Sequence, residues 1–111
     1  MNQMEWLHTL ANKKYLTEKQ FITLKSNKYV EEYSYFSSDI NSEIYILTIS
    51  NEGWDNGFYD KQILVNVIKD DFICECGGYL EYIENQVEDM DTMMLSCSKC
   101  ENIIEKYRNI N

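Results

Sequence analysis

The chain has no proline, one histidine (His8), one arginine (Arg108) and four glycines. Each shortage excludes chemistry. Without proline, the His-x-Glu and Pro-Cys-x-x-Cys pattern of zinc-dependent deaminases cannot be written. Gly53, Gly57, Gly77 and Gly78 do not fit G-x-x-x-x-G-K, so no phosphate-cradling loop is present, and G-x-S-x-G is also missing. A lone His8 on an expected helix reads as a half-exposed helix residue rather than a base. Carboxylates are plentiful, but no motif gathers them into a pocket, and they read as a solvated face. The expectation is a protein that is not an enzyme. Apolar runs are only a few residues long, too short to span a membrane. The N-terminus lacks the basic start and apolar stretch of a signal peptide. Repeats, low-complexity tracts and linkers are missing too. These features lead to the expectation of a cytoplasmic chain, where thiols stay reduced and clustered cysteines read as metal ligands.

What is present describes a folded protein. The 111 residues are 44% hydrophobic and 14% aromatic, with nine tyrosines and twelve isoleucines, which argues against disorder. One domain is expected at this length. The net charge of −9 is unevenly spread. Residues 1–40 carry five Lys and five Asp/Glu, whereas residues 41–111 carry five Lys/Arg and fourteen Asp/Glu. Such a surface repels phosphate backbones and attracts basic protein surfaces, including those that normally hold nucleic acid. The plainer reading is that the acid serves solubility.

Along the chain, "NQME" predicts a capping box from Asn2 to Glu5. Met4, Leu7 and Ala11 follow at helical spacing, with Trp6 and Leu10 beside them. "TEKQ" repeats the device from Thr17 to Gln20; Phe21 and Leu24, with Ile22 beside them, face inward. Tyr15 and Leu16 sit in the connection of this αα-hairpin. "YVEEYSYF" predicts a strand with Tyr33 and Tyr35 on one face, "SSDINS" a turn, and "EIYILTIS" a strand. "NEGWDNGFYD" reads as a loop, and "QILVNVIK" as a strand, with a short helix as the alternative. The expected fold is α+β: an αα-hairpin and small antiparallel sheet in residues 1–71, then a C-terminal β-hairpin element in residues 72–111, packed as one domain.

All four cysteines lie in "ICECGGYLEYIENQVEDMDTMMLSCSKC". Cys97 and Cys100 form C-x₂-C, a spacing that wraps a tight turn around one metal ion. Cys74 and Cys76 supply the second pair, followed by Gly77 and Gly78, which allow positive φ and close backbone approach. Twenty residues separate the inner cysteines, enough for a β-hairpin whose base joins the pairs. Four soft ligands suit Zn²⁺. Over residues 72–107 this stretch resembles the zinc-ribbon families, in which two knuckles clamp one structural zinc between short antiparallel strands. The resemblance implies Cys76, Cys97 and Cys100 as ligands. Cys74 departs from the pattern, because zinc ribbons place two residues inside the first pair and this chain places one. His8, Asp70 and Asp71 are the alternative fourth ligands; buried or redox thiols without metal are the remaining reading. A site with four protein ligands is closed and structural.

Two stretches could meet a partner. In the first, Trp54, Phe58 and Tyr59 lie among Asp55 and Asp60, an aromatic anchor ringed by acid; alternatively Trp54 and Phe58 fold back onto the core. Glu81, Glu84, Glu88, Asp89 and Asp91 extend the acidic surface beside the cysteines. The second stretch holds Lys13, Lys14, Lys19, Lys25 and Lys28, which could touch nucleic-acid phosphates; the plainer reading is a solvated helical face. The leading expectation is an acidic, zinc-binding interaction protein that docks on a basic protein surface. In size, charge and apparent lack of catalysis it resembles small acidic phage inhibitors of the anti-CRISPR and anti-restriction type, acting by charge mimicry. The alternatives are a nucleic-acid-associated zinc ribbon working as a transcription accessory factor, and an immunity-type protein or small subunit with a dedicated partner.

Overall fold

The computed structural model describes residues 2–86 and 91–107. The chain is α+β and divides into two compact units, Met1–Lys69 and Asp70–Asn111. The first contains α1 (Gln3–Ala11), α2 (Glu18–Lys25), β1 (Val30–Ser38), β2 (Ser42–Ile49), α3 (Asn51–Asp55) and β3 (Gln62–Ile68). The second contains a 3₁₀ turn (Asp70–Phe72), β4 (Leu80–Tyr82), β5 (Thr92–Cys97) and β6 (Ile103–Tyr107). Among the described residues, no helix is long and apolar enough to cross a membrane.

Both long helices start where their caps dictate. Thr17 and Gln20 form the reciprocal box: the Gln20 amide N–H donates to Thr17 Oγ1 at 3.2 Å, and the Thr17 N–H donates to Gln20 Oε1 at 2.9 Å. At α1 the arrangement differs from the expected box. Asn2 Oδ1 accepts from the Glu5 N–H at 2.8 Å, but the Glu5 carboxylate accepts from the Asn2 side-chain amide instead of its backbone. Leu7 and Leu10 of α1 and Phe21 and Leu24 of α2 are buried, and Met4 and Ala11 pack against the same cluster. Ile22 is half exposed, because it falls on the far side of α2 from Phe21 and Leu24. Trp6 is also exposed.

The helical hairpin covers one face of an antiparallel sheet ordered β1-β2-β3. Leu47, Ile49, Val65 and Val67 alternate along β2 and β3 and complete the core with Leu16. Leu16, in the helix connection, makes a parallel bridge to Val67. Its N–H donates to the Asn66 carbonyl at 2.7 Å and its carbonyl accepts from Ile68 at 2.8 Å. Buried Asn27 is satisfied by the Gln3 carbonyl and the Tyr29 N–H, and buried Asn41 reaches the Tyr15 hydroxyl. β1 is an edge strand with two register irregularities, and most of its residues are exposed.

The segment expected as a loop, 51–60, begins instead as α3. Ser50 Oγ accepts from the Gly53 N–H at 3.1 Å, and this cap starts one and a half turns of helix. Gly53 is buried against the strand before it: a Cβ there would sit 2.7 Å from Ile49 Cγ2 and 3.1 Å from Tyr29 Cβ. Gly57, at φ +105°, then reverses the chain, and Phe58 turns inward to join the core beside the His8 ring, 5.1 Å away.

In the second unit β4, β5 and β6 form a three-stranded antiparallel sheet, one strand more than the expected hairpin. Among the described residues of this unit, Phe72, Leu80, Met93, Leu95 and Cys97 are the buried apolar side chains. The Gln86 amide extends the β4–β5 pairing: its Oε1 accepts from Met94 N–H at 2.6 Å, and its Nε2 donates to the carbonyls of Met94 and Ile83.

Gly53→Ala is expected to destabilise the first unit by about 1–3 kcal/mol, as overpacking does, read by urea unfolding. A wild-type midpoint would mean that Ile49 and Tyr29 yield without cost.

Candidate metal centre

The first knuckle is a tight reversal held by its own backbone. Ile73 and Tyr79 pair across it. The Cys74 N–H donates to the Gly78 carbonyl at 2.9 Å, and the Gly77 N–H donates to the Cys74 carbonyl at 2.8 Å. Gly77 adopts φ +91°, where side chains are rarely tolerated. Gly78 is required for a different reason: a Cβ there would lie 2.6 Å from Cys97 Sγ and 2.7 Å from Lys99 Cβ. It is the point where the two knuckles touch.

The second knuckle closes the turn from β5 to β6. Cys97 is the last residue of β5 and pairs with Leu80 of β4. Its N–H donates to the Asn102 carbonyl at 2.9 Å, and its carbonyl accepts from Glu101 at 3.1 Å. Glu101 holds φ +64° to complete the turn. Two bonds lace the knuckles together: the Ser98 N–H donates to the Tyr79 carbonyl at 2.9 Å, and the Tyr79 N–H donates to Ser98 Oγ at 3.1 Å.

These turns bring the four sulfurs within 4.8 Å of one another. Cys76 Sγ and Cys97 Sγ are 3.3 Å apart, and Cys74 Sγ and Cys100 Sγ are 3.7 Å apart. All four are free thiols. Metal–sulfur bonds of about 2.3 Å in a tetrahedron place sulfurs about 3.8 Å apart, so the set fits one thiolate-bound ion. Cys74 stands within this group despite its one-residue spacing. Among the described residues the group comprises the four cysteines, without His8, Asp70 or Asp71.

The backbone around the sulfurs is arranged for negative charge. Cys97 Sγ accepts from the N–H groups of Lys99 and Cys100, each at 3.4 Å, and Cys76 Sγ accepts from Gly78 at 3.4 Å. The Cys100 N–H is the strongest influence on Cys97; with Lys99 and the neighbouring thiols it outweighs desolvation and brings that thiol down to about 6. At Cys74 the Cys76 N–H is the largest single influence and acts downward. The Cys76 thiol, desolvation and the other two thiols together outweigh it and push Cys74 up to about 12. Cys100 is likewise raised, although the Asn102 N–H pulls it down, because desolvation and the Cys76 and Cys97 thiols prevail. Cys97 is therefore the anionic foothold for an ion, and a cation is needed to ionise Cys74 and Cys100.

The remaining candidate residues fall in both units. Trp54 and Tyr59 are exposed in the first unit and stack edge to face at 5.8 Å, with the Lys61 ammonium 5.6 Å from the Trp54 ring. Asp55 ends α3 and Asp60 is exposed beyond it. Phe58 is only 6% exposed, so it cannot act as a partner anchor; its ring is spent on the core. Glu81, Glu84 and Asp91 lie in the second unit, while Glu88 and Asp89 fall outside the described residues.

The lysines do not form one basic stripe. Lys19 and Lys25, six positions apart on α2, point about 120° away from each other at 3.6 residues per turn. Lys25 lies over the Tyr33 ring at 4.9 Å, Lys28 over Tyr29 at 4.8 Å and Lys14 over Tyr15 at 5.5 Å. Lys28 also stands 3.8 Å from the Glu52 carboxylate. Lys13 follows α1 and is exposed. No protein family, curated protein or solved structure matches this chain.

Gly78→Ala is expected to weaken metal binding at least tenfold, because the Cβ would displace the Cys97 sulfur or the Lys99 turn; cobalt(II) titration, followed by thiolate-to-metal absorption, reads it. Wild-type affinity would show that the knuckles need not touch. Metal binding also carries a definite pH dependence. Above about pH 6 Cys97 is already a thiolate, so binding need not displace its proton; below that pH it must. The slope of log affinity against pH is therefore expected to steepen by about one proton as pH falls through 6. A slope unchanged across that range would remove Cys97 as the foothold.

Proposed function

We propose that this chain is a non-enzymatic interaction protein in which zinc braces an acidic unit that docks on a basic surface of a partner protein. The observation that carries the reading is where the charge lies. Residues 70–111 hold ten Asp/Glu and three Lys/Arg, net −7, whereas residues 1–69 hold nine Asp/Glu and seven Lys, net −2. The acid thus belongs to the unit that carries the cysteines. A zinc ion with four thiolates would add about two negative charges there. Zinc suits the four-sulfur set, and a site filled by four protein ligands leaves no position for a substrate, so its role is to hold the fold.

A surface of this sign competes for protein faces that hold DNA or RNA, so the reading includes inhibition of a nucleic-acid-binding machine by charge mimicry. The aromatic pair Trp54–Tyr59 offers a second contact point in the first unit. Direct binding of nucleic acid through the helical hairpin has less support, since Lys14, Lys25 and Lys28 lie over aromatic rings.

Affinity capture with the tagged, metal-loaded chain from its source lysate, with and without nuclease, tests this. The expected result is a basic nucleic-acid-binding protein that survives nuclease and elutes with salt. The triple variant Glu84→Gln, Asp91→Asn, Glu105→Gln is expected to lose that capture several-fold while keeping its metal and melting temperature. Capture indifferent to these charges would end the docking reading; recovery only with intact nucleic acid would move the function to the lysine-bearing helices. Metal analysis of the purified protein should give one zinc per chain, and the double variant Cys97→Ser, Cys100→Ser should bind none and melt at a substantially lower temperature.

A further inference from the structure

A half-open groove of about 630 Å³ runs beside the metal centre within the second unit. Buried Leu80 and half-buried Ile73 and Ile104 give it an apolar floor, and exposed Asp71 and Glu75 line its rim. Cys74, Cys76 and Cys100 stand along the same groove. The basic residue lining it is Lys106, whose ammonium sits 5.6 Å from the Phe72 ring. Two carboxylates thus share the groove with one lining ammonium over a hydrocarbon floor; a second ammonium, that of Lys99, is engaged by the Cys76 carbonyl at 3.3 Å. The volume, which takes in the space at Cys74, Cys76 and Cys100, lies in the range of pockets that hold a small organic group.

A ligand for such a groove needs a cation, to answer the carboxylates, and hydrocarbon next to it, to cover the floor. Arginine meets both needs, with an apolar stem and a planar guanidinium that bonds carboxylates in pairs. We infer that this groove is the subsite that seats an arginine side chain, flanked by aliphatic residues, of an extended segment on the partner. The guanidinium lies toward Asp71 and Glu75, and the flanking side chains lie on Ile73, Leu80 and Ile104. The inference rests on the charge-docking reading above and gives it an address: recognition is centred on the first knuckle instead of spread over the acidic surface.

The test uses the full, zinc-loaded chain and the peptide acetyl-Ile-Arg-Ile-amide, followed by amide chemical shifts. Saturable shifts are expected at Ile73, Glu75 and Ile104. The same peptide with citrulline, which keeps the shape and removes the charge, is expected to bind about tenfold more weakly, as loss of two exposed ion pairs implies. Asp71→Asn with Glu75→Gln should give a similar loss, with metal content unchanged to show that the knuckle is intact. Equal binding of the arginine and citrulline peptides overturns the subsite. So does an absence of saturable shifts, or a loss on Glu84→Gln with Asp91→Asn that exceeds the loss at the groove. None of these three results touches the salt-sensitive capture of a basic protein, so the groove and the docking reading can fail separately.

Discussion

Four thiolates within 4.8 Å repel one another unless a cation stands among them. That constraint governs the second unit. Its strands are three, six and five residues long, and its described buried side chains are few. A segment of this size lies near the limit below which metals or disulfides are needed for stability. The sulfurs are where the strands meet: β5 ends in Cys97, Gly78 lets the first knuckle touch it, and Ser98 and Tyr79 exchange bonds across the seam. Pairing in the sheet and convergence of the thiols are therefore coupled, so an ion bound there would favour the paired strands.

The first unit needs no such device. A helical hairpin laid on a three-stranded sheet buries Leu7, Leu16, Leu24 and Leu47 almost completely, and its buried polar groups Asn27 and Asn41 find partners. The division of labour between the units extends to charge. The unit with an ample core is nearly neutral, and the unit with a meagre one carries most of the excess acid. Like charges crowded on a small body oppose its folding, so the acid in residues 70–111 raises the demand on the cysteine centre.

Much of this was legible in the sequence, for local reasons. Asn2 and Thr17 announce helix starts because a cap needs only the next three residues, and the cysteine spacing announces knuckles because each turn is complete within a few positions. What escaped depends on partners far along the chain or on weak signals. Phe58 reads equally as a partner-facing aromatic or as one folded back on the core, and only the His8 ring, distant in sequence, decides between them. α3 hides because its cap, Ser50 to Gly53, ends on a glycine that looks like a loop signal but is there to clear Ile49 and Tyr29. β6 hides because its exposed and half-buried residues alternate at a sheet edge that only the second knuckle creates. Ile22 misleads because an apolar residue on a helix says nothing of which face it occupies until Phe21 and Leu24 are fixed. The groove has no signal at all, since Asp71, Glu75 and Ile104 are brought together by the turns around the metal centre.

The bridge between Leu16 and Val67 joins the connection of the helical hairpin to the last strand of its unit. During synthesis the amino-terminal residues leave the ribosome first, yet the backbone groups of Leu16 find their partners only after Asn66 and Ile68 have emerged. The helical hairpin and the β1–β2 hairpin rely on contacts nearby in sequence and can form early. The bridge from Leu16 to β3 is a late event, and until Val65 and Val67 arrive the core under the helices lacks part of its cover, which leaves apolar surface open to the chaperones that attend a nascent chain. A stalled or truncated product ending before β3 would therefore be a natural substrate for quality control, whereas one ending just after it would have that bridge in place.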